Sequence, residues 1–132
     1  MTREAMEGFR VIARDELVAT ASLLPRQPRQ AAFFLQQAAE KLLKAVLTAE
    51  GLTFPRSHQL GALAALLPGD HPWRADLAAL DRLTAYATVL RYPLPDGKPP
   101  PPPDPYELAR SVREVGGLLD ELEPWCRSRT AQ

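Results

Sequence analysis

Apolar residues recur every three or four positions along most of the chain, and no stretch alternates in the manner of a half-buried strand. Phe9, Ala13, Leu17, Ala21 and Leu24 form the first such series, with Arg10, Arg14 and Asp15 turned elsewhere, and Pro25 and Pro28 end it. The second series is the clearest: Ala31, Phe34, Leu35, Ala38, Leu42, Ala45, Val46 and Ala49 make one stripe, and Gly51 stands where a helix stops. Phe54-Pro55 makes a rigid corner, after which Ser57 is placed to cap a short helix over 58–67. A turn over 68–72 leads into a fourth helix, expected from Trp73 to Arg91 with Leu77, Leu80, Leu83, Ala87 and Leu90 inward, which Pro93 and Pro95 stop. The last helix opens with Asp104 as cap, Pro105 in the first turn and Glu107 three after the cap. Leu108, Val112, Val115, Leu119 and Leu122 then form its seam. The pattern predicts an all-α bundle of four long helices and one short one.

Proline changes that picture in one place. Eight of the fourteen prolines lie between Pro93 and Pro105, and the five at Pro99–Pro103 impose an extended polyproline conformation. At 3.1 Å per residue that run spans roughly 15 Å. Tied to helices at both ends, residues 93–105 read as a stiff crossover loop, with a proline-motif ligand as the other reading.

The chain has 132 residues and 14.6 kDa, enough for one domain over residues 1–132. Sixteen basic residues balance sixteen acidic ones, so bulk electrostatics do not hold this chain to nucleic acid. The one cysteine, Cys126, excludes disulfides within the chain and Cys-rich zinc sites. No apolar run reaches the ~20 residues of a membrane span, and Met1–Arg10 lacks the apolar core of a signal peptide. The cytoplasm is the simplest location, and no metal or cofactor is expected: neither histidine has a partner at ligand spacing, and no glycine-rich phosphate loop occurs. Gly116-Gly117, mid-helix, reads as a point where two helices approach closely.

Polar residues on otherwise apolar helices remain. Gln37, Lys41 and Lys44 fall on one side of the second helix, with Glu40 and Lys44 in the favourable order for an i, i+4 ion pair. They read either as a solvated face or as a cationic stripe for a phosphate or nucleotide. His58 stands at the expected start of the short helix, where the dipole disfavours protonation and free N–H groups attract anions. It packs the corner or acts chemically; His71, in a proline-flanked turn, is expected on the surface. Arg91 complements the end of the fourth helix, and its fork of donors also suits phosphate, with Tyr86 and Tyr92 near enough in sequence to stack on a base.

Three pieces in order carry a resemblance. Residues 32–45 contain Gln37-Ala38-Ala39-Glu40-Lys41 followed by Lys44, residues 51–60 contain Gly51, Pro55, His58 and Leu60, and Tyr86 precedes Arg91-Tyr92-Pro93. They resemble the "Q-A-A-E-K-x-x-K" helix, the "G-x-x-x-P-x-x-H-x-L" corner and the "Y-x-x-x-x-R-Y-P" helix end of the HEPN domain family, named for higher eukaryotes and prokaryotes nucleotide-binding. The resemblance implies an antiparallel five-helix bundle that dimerises, with its polar residues near a cleft at or beside the dimer interface. It further implies a role with RNA or nucleotides, for many bacterial members as one half of a toxin–antitoxin pair with a minimal nucleotidyltransferase. The ribonuclease branch carries an arginine followed four to six residues later by a histidine. Here Arg91 is followed by Tyr92-Pro93-Leu94-Pro95-Asp96-Gly97-Lys98, with no histidine.

The expectation is therefore a homodimeric binding module that holds a nucleotide, RNA or a nucleotidyltransferase partner through Gln37, Lys41, Lys44, His58, Tyr86, Arg91 and Tyr92. The rival readings are a metal-independent endoribonuclease toxin using Arg91 and His58, and a structural adaptor that binds protein through its leucine seam or proline loop.

Overall fold

A computed structural model describes residues 2–131 and contains helices, turns and loops, with no strand among the described residues. Helix α1 (Thr2–Leu23) turns over residues 24–27 into α2 (Pro28–Ala49), and α5 (Pro105–Arg129) closes the bundle. Between them lie two short helices, α3 (Leu60–Ala64) and α4 (Arg74–Ala78), and 3-10 segments over Ala79–Ala87 and Val89–Arg91. The helix expected from Trp73 to Arg91 is thus not one continuous helix: only its first turn is α, the rest is wound more tightly, and Thr88, at φ −126° and ψ −55°, breaks it before the last 3-10 turn.

Helix α2 is central. Its stripe Ala31, Leu35, Ala38, Leu42, Ala45, Val46 and Ala49 is buried, while Phe34 is half-exposed. A second buried row, Ala32, Gln36, Ala39, Glu40, Leu43 and Leu47, lies beside it, so most of the circumference of α2 is covered. A helix with only one covered face would show the second row to water. Here α1 covers one side, α5 a second and the 3-10 segment Ala79–Ala87 a third. Each fully buried leucine on it contributes about 1.5–3 kcal/mol of transfer free energy.

On α1 the buried face is Met6, Ala13, Leu17 and Thr20, whereas Ala21 is exposed. Thr20 is accommodated because its hydroxyl donates to the Glu16 carbonyl at 2.8 Å. Arg10 and Arg14 reach α5: Arg10 meets Glu123 at 2.5 Å, and Arg14 pairs with Glu123 and with Asp120. Burial raises the Glu123 carboxyl, but the bonds from Arg14 and Arg10 outweigh it and hold its pKa below the usual value. The pairings descend on α5 as they ascend on α1, so these helices run antiparallel; α5 is then parallel to α2, as the Arg129–Glu50 bond between their C-terminal ends requires. A parallel neighbour needs a long return connection, and residues 50–104 supply it.

Local chemistry sets the ends. Gly51 takes φ +73° and its N–H reaches the Thr48 carbonyl, which stops α2 as expected. The Asp104 side chain accepts the Tyr106 N–H at 3.0 Å and starts α5. Ser57 does not cap α3. Its hydroxyl takes the Gln59 N–H, and α3 begins later because its first donors are satisfied from elsewhere: Leu60 N–H by Thr84 Oγ1 at 3.0 Å and Gly61 N–H by Asp81 Oδ1 at 2.8 Å. A side chain at Gly61 would meet Asp81 at 2.7 Å, so this is the glycine a close approach requires. At Gly116 an added Cβ would make an ordinary 3.6 Å contact with Leu17, and at Gly117 none, so the expected close approach there is not needed.

His71 is not on the surface. Its side chain is 4% exposed, its ring stands edge-on to Trp125, Nε2 lies 3.2 Å from Glu50 and Nδ1 accepts the Trp73 N–H. The turn over 68–72 folds under the C-terminal part of α5, which a sequence window around His71 does not contain.

Candidate functional site

Phe33, Gln37, Glu40 and Lys44 follow at four, three and four residues, so one face of α2 carries them all. Along that face runs a connected polar chain. Lys41 Nζ donates to Glu16 Oε1 at 3.2 Å and to Gln37 Oε1 at 3.1 Å. Gln37 Nε2 donates to Gln36 Oε1 at 2.7 Å, and Gln36 Nε2 in turn to the His58 carbonyl at 2.9 Å and to Glu40 Oε1 at 3.3 Å. Lys44 Nζ meets the other Glu40 oxygen at 3.0 Å. This is not a solvated face: Glu40 is 2% exposed and Gln36 not at all. Lys41 and Lys44 are each committed to an internal carboxylate.

Burial pushes the Glu40 carboxyl up, but hydrogen bonds from His58 and Lys44, the Lys44 charge and the Gln36 amide outweigh it, and its pKa lies below the ordinary value. Glu16 goes the other way. Burial raises it, Lys41 opposes, and the Glu40 and Asp15 charges add to the rise. The bundle thus keeps a buried carboxylate ionised at Glu40.

That carboxylate holds His58. The residue precedes α3 rather than opening it. Nδ1 lies 2.7 Å from Glu40 Oε1, and the side chain is 64% exposed. An ionised carboxylate only accepts, so Nδ1 is the donor and Nε2 is left for solvent or a ligand. The corner packs through Phe54, edge-on to Phe9 at 5.9 Å and 5.8 Å from Lys44 Nζ, so the packing role considered for His58 belongs to its neighbour.

The second cluster lies toward the start of α2. The Arg91 guanidinium sits 4.2 Å from the centroid of Phe33, and Phe33 and Phe34 stand edge to face at 5.5 Å. Arg29 Nε donates to the Pro100 carbonyl at 2.6 Å. With Gln30 and Leu90 these residues line a cleft of about 320 Å³. Arg91 has no ion pair among the described residues, and stacking through its face leaves its edge donors available. Tyr92 beside it is 70% exposed. Tyr86 turns away toward α5: burial raises its pKa, the Glu107 charge adds and Arg82 opposes.

The residues singled out in the sequence therefore fall into two groups on one helix face. Gln37, Lys41, Lys44 and His58 share the Glu40 network; Arg91 lies on Phe33, with Tyr92 lining the adjoining hollow; Tyr86 joins neither. Phe33 and Glu40, which anchor Arg91 and His58, are seven residues apart, about 10 Å along the axis. Gln36, Glu40, Arg29 and Phe33 were not picked out as site residues. The available signal was Gln36 and Glu40 falling in step with Ala32, Leu43 and Leu47, polar positions in an apolar row. Among the described residues no group of three or more His, Cys, Asp or Glu is placed to hold a metal ion. Cys126 is buried, its thiol pushed up to about 12 by burial and then by Glu50, Glu123 and Glu7.

These features define a small all-α bundle domain whose polar chemistry is gathered on one face of its central helix. The family model of the HEPN domain matches residues 12–125, nearly the whole chain, and the chain belongs to that family. No curated protein and no solved structure matches it. Among the described residues no helix is long and apolar enough to cross a membrane.

Proposed function

We propose that this HEPN domain is a cytoplasmic nucleotide- or RNA-binding module that works as a homodimer, paired with a minimal nucleotidyltransferase in a toxin–antitoxin type system. The observation that carries the binding role is Arg91: a guanidinium stacked on Phe33, without a carboxylate partner among the described residues, in a cleft with a second guanidinium at Arg29. Arg91 takes the phosphate through its edge donors, and the Phe33–Phe34 pair offers an aromatic wall for a base. The Gln37–Lys41 and Glu40–Lys44 contacts hold the rest of the face in register. In calorimetric titration with adenosine monophosphate and short RNA, Arg91→Ala is expected to weaken binding at least about tenfold, the loss of one charge-assisted contact. Equal affinity in wild type and variant, or no binding by a folded wild type, refutes it. A monomeric mass at micromolar concentration removes the dimer, and failure of a co-expressed nucleotidyltransferase to co-purify removes that partner.

The His58–Glu40 pair favours a second reading, a metal-independent endoribonuclease. A carboxylate-oriented imidazole with Nε2 free is suited to take the proton of a ribose 2′-hydroxyl, with Arg91 stabilising the charged phosphate. With their anchors about 10 Å apart along α2, the two side chains would converge on one phosphate only with help from the RNA path or a second subunit. RNA incubated without metal should then be cut by the wild type and left intact by His58→Ala. Intact RNA with the wild type ends this reading.

A further inference from the structure

Beside the cleft of Phe33 and Phe34 lies a second hollow of about 240 Å³, walled by Tyr92, Pro93, Gly97, Pro99 and Pro100. The two hollows share Arg29, Leu90 and Arg91, so both guanidiniums stand at the boundary between them. The proline wall is built into the fold rather than draped over it. Leu94 N–H bonds the Lys98 carbonyl, Gly97 N–H the Leu94 carbonyl, and Lys98 N–H the Asp96 carboxylate, with Gly97 at φ +84°. The polyproline run leaves this closed turn, and Arg29 pins its second residue, Pro100, which is buried.

We propose that the proline crossover is the second half of the binding site, and that the complete cleft takes a single-stranded dinucleotide step rather than a mononucleotide. One base lies against Phe33 and Phe34, the connecting phosphodiester on Arg29 and Arg91, and the other base against Tyr92 and the proline wall. The inference rests on the nucleotide-binding reading above and adds the identity of the ligand. Two considerations support it. The two hollows, of about 320 and 240 Å³, are adjoining lobes that meet at the two guanidiniums, so the cleft offers a separate wall to each of two bases. The cationic groups sit between the apolar walls, the order base–phosphate–base demands, whereas a mononucleotide would leave Tyr92 unused. A wall fixed before binding also limits the ordering entropy the ligand must overcome.

The test compares two ligands of equal charge by calorimetry. One is the dinucleoside monophosphate ApA; the other is adenosine 5′-(methyl phosphate), with one base. ApA is expected to bind about tenfold more tightly, the increment of one stacked base. Tyr92→Ala should bring the ApA affinity down to that of the one-base ligand. Replacing Pro99–Pro103 by five Gly and Ser residues, with folding verified by circular dichroism, should do the same. Equal affinities for the two ligands in wild type overturn the dinucleotide assignment while leaving the binding reading standing. A Tyr92→Ala or loop-replaced protein that keeps the ApA preference overturns the second lobe. If neither ligand binds the folded protein, both inferences fall.

Discussion

Truncating Glu40 to alanine removes the acceptor shared by Lys44 at 3.0 Å, His58 at 2.7 Å and Gln36 at 3.3 Å. The three donors are affected unequally. The His58 side chain is 64% exposed and returns to water, whereas that of Lys44 is 13% exposed and is left with only the Phe54 ring, 5.8 Å away. Gln36 retains the His58 carbonyl. Breaking a fully buried ion pair from one side costs about 3–5 kcal/mol, and the residual exposure of Lys44 lowers that to about 3 kcal/mol. For a domain of this size that is a fall of about 10 °C in Tm. Glu40→Gln keeps the volume and an acceptor and should lose about half as much, while His58→Ala should lose under about 1 kcal/mol. Glu40→Leu combined with Lys44→Met should recover most of the loss, because no buried charge is then unpaired. Urea denaturation followed by circular dichroism at pH 7 reads all four. The acid limb is an independent check. Since the Glu40 pKa is lowered from 4.5 in the native state, its contribution is complete above pH 4.5 and is lost as pH falls through the native value. Glu40→Gln should accordingly lose stability less steeply below pH 4.5 than the wild type. A Glu40→Ala protein within about 0.5 kcal/mol of wild type, or an unchanged acid slope in Glu40→Gln, would show that the carboxylate is merely solvated and refute the buried network.

Two further predictions concern the scaffold. Gly61→Ala puts a Cβ 2.7 Å from Asp81 Cγ and displaces the carboxylate that accepts the Gly61 N–H, so it should cost about 1–2 kcal/mol. Asp81→Ala added to it should cost little more, and full additivity in urea titrations would count against a shared capping contact. The Cys126 thiol, raised to about 12, should react with iodoacetamide at pH 8 only at the rate of unfolding; rapid labelling of the folded protein contradicts that. Because the unfolded thiol, with its ordinary value of 9.0, ionises first, stability should decline above about pH 9.

The helices with strong local signals were legible in the sequence, and their limits show what local signals lack. Gly51 and Asp104 terminate and start helices through bonds to residues two to five positions away, so a short window contains the whole argument. The start of α3 is decided by Thr84 and Asp81, 24 and 20 positions beyond the N–H groups they accept, and Ser57 could not compete for donors the fold had already satisfied. The tight winding after α4 is equally unmarked, since Leu77, Leu80 and Leu83 have a spacing of three that suits either helix type and all three are buried. The polar face of α2 was readable as residues and misleading as environment. Gln37, Lys41 and Lys44 have the spacing of a solvated or ligand-facing stripe, and only the three-sided cover of α2 turns it into an internal network with Glu40 at its centre.

The same topology explains why the two candidate clusters lie where they do. Helix α5 runs parallel to α2, so the chain must travel back the length of α2 after the Phe54-Pro55 corner. The corner delivers His58 to Glu40 on the way out, toward the C-terminal part of that face. The 3-10 segment Val89–Arg91 arrives at the other end and lays Arg91 on Phe33. From there α5 can start only if the chain crosses the bundle end in an extended form, and five prolines enforce that form without a strand partner. The Arg29–Pro100 bond fixes the crossing to the first turn of α2, next to the arginine it borders. A flexible crossing of equal length would satisfy the connection yet leave Arg91 beside an undefined surface. The composition of this loop is therefore better explained by the cleft it walls than by the distance it spans, and the glycine–serine replacement separates the two: a spacer tolerates it, a wall does not.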